Sequence, residues 1–193
     1  MLADRIMGAF TFRREVYAEV EHDASFTGTA WAIVAVVAFL NQLGSAAATA
    51  ESTTTLIIGA VVGTAFTVLG FAVGAYVIAW LGKALFQAEV SFDELVRALG
   101  LAYVWNAVGV LGLLAFISPT LVCIISPALL LAGLLSIYSW FIAAREALDL
   151  DTMQTIITVV VGWVVVIAVS ALAGIVLGIL GLGVGAAAGA LGG

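Results

Sequence analysis

The side chains able to do chemistry in this chain stand almost entirely outside its apolar stretches. There are six basic residues (Arg5, Arg13, Arg14, Lys83, Arg97 and Arg145), one histidine (His22) and one cysteine (Cys123). Proton relays and ion-coupled carriers depend on charged or histidine side chains within the membrane, and the long apolar stretches contain no Asp, Glu, Lys, Arg or His. His22 by itself cannot supply an HExxH-type metal site, and no glycine-rich loop ends in Lys-Ser or Lys-Thr to cradle a phosphate. No paired acidic motif suggests phosphotransfer on lipids. Cys123 has no partner for a disulfide and reads as a small buried hydrophobe. The chemistry points away from an enzyme, with no cofactor, no metal and no nucleic-acid partner.

What remains is contact chemistry. Arg13, Arg14, Arg97 and Arg145 flank apolar stretches, where a guanidinium can meet an anionic lipid headgroup or a partner protein, each contact worth up to about 1 kcal/mol. Asn106 is the strongly polar residue best placed inside a span. An amide in lipid needs a partner, and Ser136 or Ser139 is expected to supply it. Thr64, Thr67, Asn106, Ser136 and Ser139 would have to converge if the chain carried a solute.

The elements that must position these residues follow from the charge pattern. Residues 24–50, 52–82, 98–144 and 152–193 carry no Asp, Glu, Lys or Arg, and 64% of the 193 residues are hydrophobic. About 20 apolar residues cross a bilayer core of about 30 Å. Residues 98–144 as one helix would measure roughly 70 Å, so that stretch must turn, and Ser118-Pro119 and Ser126-Pro127 mark where. The spacing predicts an all-α, polytopic transmembrane helical bundle with spans at about 28–48, 54–82, 98–117, 127–144 and 156–180. They make up one domain, 28–182, followed by a Gly/Ala-rich tail, 183–193.

Residues 1–27 precede the first span. Leu2, Ile6, Ala9, Phe10, Val16, Tyr17 and Val20 share one helical face, while Asp4, Arg5, Glu15, Glu19 and Asp23 fall on the other. The pattern predicts an amphipathic interfacial helix over 2–22, with Arg13 snorkelling from the apolar stripe to lipid phosphate. The segment lacks the apolar core and cleavage site of a signal peptide. Ser91 with Glu94, and Asp151 with Gln154, are spaced as helix caps. Gly59, Gly63, Gly70 and Gly74 give span two small-xxx-small faces for close helix approach, including self-association.

With five spans, all six Lys and Arg fall on one side. The positive-inside rule makes that side cytoplasmic, with the N-terminus inside and the C-terminus outside. The five tryptophans project toward the same half. Headgroup anchoring is the plain reading of that asymmetry, and a wedge-like footprint is the sharper one.

Three segments carry a resemblance: RIMGAFTFRREVYAEVEHD before span one, SFDELVRALGLAYVWN entering span three, and SIYSWFIAAREALDL leaving span four. Their types and their order around five spans resemble the YIP1 family of membrane proteins in its short bacterial form. The resemblance implies five helices, a cytosolic N-terminus and residence in the bacterial cytoplasmic (inner) membrane. Eukaryotic members are linked to vesicle traffic, small GTPases and membrane shaping. This chain has only about 25 residues before span one and lacks an Asp-Leu-Tyr-Gly-Pro motif. Its expected work is therefore membrane organisation or scaffolding of other membrane proteins. A small-solute transporter or channel, or an accessory subunit of a membrane complex, are the alternatives.

Overall fold

The computed structural model describes residues 2–47, 50, 52–118 and 120–179. The Gly/Ala-rich tail, Glu51 and Pro119 lie outside the described residues. All regular structure among those residues is helical, in the order α1 (Leu2–Phe10), α2 (Arg14–His22), a 3₁₀ turn (Ala24–Phe26), α3 (Thr27–Ala47), α4 (Thr53–Phe86), α5 (Phe92–Ala102), a 3₁₀ stretch (Tyr103–Leu113), α6 (Leu114–Ile117), α7 (Thr120–Leu148) and α8 (Thr152–Ile179). Five of the resulting helical runs are long and apolar enough to cross a membrane: Ala24–Ala47, Thr53–Phe86, Phe92–Ile117, Thr120–Leu148 and Thr152–Leu172. These are spans one to five.

Backbone proximity at glycine organises the bundle. A Cβ on Gly44 of span one would sit 1.9 Å from the Gly109 carbonyl oxygen, and one on Gly112 would sit 2.6 Å from the Gly44 oxygen. Spans one and three therefore touch backbone to backbone, which a side chain at either position would prevent. Span two lies against span one through Gly59 and Gly63, which face Ala46 and Gln42. It lies against span five through Gly70 and Gly74, which face Val169 and Val166. Gly59, Gly63, Gly70 and Gly74 thus all face neighbours within the same chain.

Span three departs from a plain α-helix. Its middle eleven residues, Tyr103–Leu113, are 3₁₀, a long run for that geometry. The tighter coil is thinner, and it falls where Gly109 and Gly112 meet span one. Asn41 donates from Nδ2 to the carbonyl of Asn106 at 3.0 Å, fixing this stretch from outside. The bond is made by the backbone carbonyl of Asn106, and Ser139 pairs with Tyr17.

Of the two expected Ser-Pro turns, the second does not form. Ser118 is extended (φ −154°, ψ 122°) and ends α6, as a residue before proline favours. Pro127, in contrast, lies inside α7. Proline there removes the donor for the carbonyl four residues back, that of Cys123. The Ser126 hydroxyl donates to that carbonyl at 3.4 Å, so the helix continues; such repair is how membrane helices tolerate proline. Span four accordingly begins at Thr120 and not near 127. Cys123 is exposed, which corrects its reading as buried: this end of α7 has bare apolar side chains, with Ile124 73% and Leu130 68% exposed.

Trp140 is a core residue, and Trp31, Trp105 and Trp163 are half-buried and pack against that core. Trp31 and Trp140 each meet Phe71 edge-on, at 5.6 and 5.9 Å, and Trp140 meets Trp163 at 5.9 Å. Trp105 packs on Phe10 and Phe12. Trp80 is 57% exposed.

Candidate functional site: the docked N-terminal hairpin

The amphipathic segment is two helices, not one. α1 stops at Phe10, and Phe12 adopts φ 56°, a left-handed conformation that is unusual for a bulky side chain. The Phe12 amide donates to Ala9 at 3.2 Å and the Arg13 amide to Gly8 at 2.9 Å, the paired bonds of a Schellman stop. The position would suit glycine, but phenylalanine has work there. Its ring stacks on Trp105 at 5.3 Å with 6° between planes, and meets Tyr138 edge-on at 5.1 Å. The elbow of the hairpin is thus pinned between spans three and four.

Arg5 closes the hairpin. It donates to Glu19 at 2.6 Å and to Asp23 at 2.9 Å, and its guanidinium lies 5.1 Å from the centre of the Phe26 ring. A hydrogen bond from Ser25, with Arg5 next, holds the Asp23 carboxyl below its usual range. α2 then docks on the bundle. Val16, Tyr17 and Val20 are buried, Tyr17 and Val20 completely. The Tyr17 hydroxyl lies 2.8 Å from Ser139 Oγ and 3.4 Å from the Ala9 carbonyl oxygen. Burial pushes this phenol up, against a smaller opposing effect of Ser139, so it stays protonated and available to the bond. The apolar face of α2 therefore belongs to the protein core, while Leu2 and Met7 of α1 are exposed.

Arg97 locks the other end. It is 6% exposed and donates through Nε to the carbonyls of Val20 (3.0 Å) and Glu21 (2.8 Å), through Nη1 to Thr27 Oγ1 (3.1 Å), and through Nη2 again to the Glu21 carbonyl. Carbonyls at a helix C-terminus lack intrahelical donors and carry partial negative charge. Arg97 on α5 thereby caps α2 across the bundle. This corrects its expected role, because a guanidinium enclosed by these bonds is not free to meet a lipid headgroup. Ser91, which accepts from the Glu94 amide at 3.2 Å while its own amide donates to Glu94 Oε2 at 2.6 Å, starts α5 in the register that points Arg97 inward. The bond from the Ser91 amide is the main cause holding the Glu94 carboxyl below its usual range.

Around this lock, acids from three elements approach each other. Glu21 of α2 is 8% exposed. Burial pushes its carboxyl up, with Asp149 and Glu94 adding to that effect and His22 and Arg97 opposing it. The other expected site residues lie outside the core. Arg13 is exposed and reaches the Asp4 carbonyl at 3.3 Å. Arg14 is 56% exposed, 3.9 Å from Glu146. Arg145 is half-buried. The docked hairpin, the 83–97 link and the 145–151 link therefore share one end of the bundle. That end carries all six basic residues and eleven of the twelve acidic ones, for a net formal charge of −5.

The polar residues that a solute path would need are bonded in separate places. Thr64 donates to its own helix at Ala60 (2.6 Å), Thr67 accepts from Gln42 (2.8 Å), and Ser139 meets Tyr17.

A hairpin docked on the first, third and fourth of five spans is an arrangement that runs through the whole chain, and so does the match to a known family. The profile of the Yip1 domain matches residues 7–175. The chain belongs to the Yip1-domain family. In this Yip1-domain protein the matched region takes in the α1–α2 elbow, the Arg97 lock and all five spans, up to the last turns of α8. No curated protein and no solved structure matches the chain.

Sequence reasoning missed Phe12, Tyr17 and Arg5 as the residues that dock the hairpin. A tyrosine within an apolar stripe was the available signal, since a buried hydroxyl needs a partner. Nothing local pointed to Phe12, whose role depends on rings from spans three and four.

Proposed function

We propose that this multi-pass membrane protein is a non-enzymatic organiser that holds partner membrane proteins at its hairpin-bearing end. The observation that carries the reading is the charge of that end, a net −5 on a surface built from three chain segments. A net negative surface beside a bilayer repels anionic lipid overall and attracts a cationic segment. The expected partner is accordingly a protein with a basic stretch near its membrane boundary. Arg13, Arg14 and Arg145 are left as local contacts to lipid phosphate or to acids on the partner. Orientation by the positive-inside rule, which counts Lys and Arg and not net charge, puts this end in the cytoplasm and the C-terminus outside.

The test is gentle purification from the native membrane followed by native mass spectrometry. A stoichiometric protein partner, released as salt is raised across the range that screens surface charge, is the expected result. A bare monomer or homo-oligomer that retains only lipid would overturn the scaffold reading.

A further inference from the structure

Beneath α1 lies a groove of about 340 Å³ whose walls present only apolar atoms. Leu2, Ile6 and Phe10 form its roof, Ile33 and Val36 of span one its floor, and Val104 of span three its back. We propose that it holds the acyl chain of a phospholipid from the leaflet in which the hairpin sits.

Position argues for this occupant. The lining begins at Thr29, one turn into span one, and ends at Val37, so it runs about 12 Å along the helix. It starts at the level of the hairpin, where a lipid's glycerol lies, and descends toward the bilayer centre. The groove is continuous with the lipid-facing surface, since Val36 is 58% and Leu2 47% exposed. A medium of acyl chains is what meets that opening in a protein with five membrane-crossing helices.

The polar groups nearby are already engaged: Arg5, above Phe26, is paired with Glu19 and Asp23. Recognition then falls on the hydrocarbon and not on the headgroup. The lipid becomes part of the packing that holds α1 down, while α2 is held independently by Arg97 and Tyr17.

The test uses the full chain in phosphatidylcholine nanodiscs doped with a phosphatidylcholine bearing a diazirine on one acyl chain. After photolysis, labelled peptides are mapped by mass spectrometry. The expected result is at least threefold more label on residues 2–10 and 29–37 than around Ile124, Leu130 and Leu134, which are plainly lipid-facing at 73%, 68% and 56% exposure. Ala32→Trp, which fills the groove, should cut that label at least threefold and leave the span-four label unchanged. Val36→Phe, at a more exposed site, is the milder variant should Ala32→Trp fail to fold. Groove label no greater than the span-four label, or label unmoved by filling, would each overturn the proposal.

Discussion

Removing the Arg97 guanidinium should release the N-terminal hairpin while leaving the spans in place. In Arg97→Ala the Glu21 carbonyl loses its donors and Thr27 Oγ1 loses its bond, while the Val20 carbonyl keeps the Asp23 amide at 3.2 Å. A buried acceptor left without a partner costs about 1–3 kcal/mol. One such carbonyl and the lost Thr27 bond, partly offset by no longer burying a cation that has no carboxylate bonded to it, give about 2 kcal/mol. At about 1.4 kcal/mol per tenfold, the undocked population rises on the order of 30-fold. Lysine keeps the charge but not the planar fork, so Arg97→Lys should fall between Ala and the parent. Thr27→Val, which loses one bond, should shift the population by about tenfold or less. The assay is hydrogen exchange by mass spectrometry in nanodiscs, read on peptides covering 14–22, with α8 peptides as the control for global opening. Trypsin cleavage after Arg14 reports the same event independently. If exchange of α2 in Arg97→Ala stays within about twofold of the parent, then Arg97 does not lock the hairpin, and the Phe12 and Tyr17 contacts alone hold it.

Two further outcomes are expected. Gly44→Ala forces a Cβ against the Gly109 backbone at 1.9 Å, whereas Gly59→Ala meets only Ala46 at 3.7 Å; the first should cost about 1–3 kcal/mol and lower the thermal midpoint in detergent by several degrees, the second should be close to neutral, and equal effects would refute the close approach of spans one and three. The raised Glu21 carboxyl means that the docked state binds a proton more readily than the free one. Its stabilisation is therefore fully present below the ordinary value of 4.5 and is lost as pH rises through the elevated one. Protection factors of α2 should rise on acidification from pH 7.5 toward 5, and Glu21→Gln should flatten that slope; a slope unchanged in Glu21→Gln would refute the assignment to Glu21.

The class of the fold was legible because a bilayer reads sequence bluntly: charge-free stretches of sufficient length must cross it, and their number and the loops between them follow. The helix starts at Ser91 and Asp151 were legible too, because capping is a matter of three-residue spacing; Asp151 Oδ1 accepts from the Gln154 amide at 2.9 Å. Pairings between distant segments were not legible. Whether Pro127 breaks α7 depended on a hydroxyl one residue away and on a helix already committed on both sides. Whether the tryptophans anchor or pack depended on Phe71 standing among them. Arg97 looks the same in sequence as Arg13 and Arg14, yet it is buried while they are exposed, because only its helix faces the free carbonyl end of α2. Residue composition and periodicity by themselves determined that this chain crosses a membrane five times and gathers its charge at one end, since transfer into lipid is additive along the chain. Tertiary structure alone decided that the leading segment folds back into that end as a hairpin, because its turn, lock and elbow are each completed by residues from other spans.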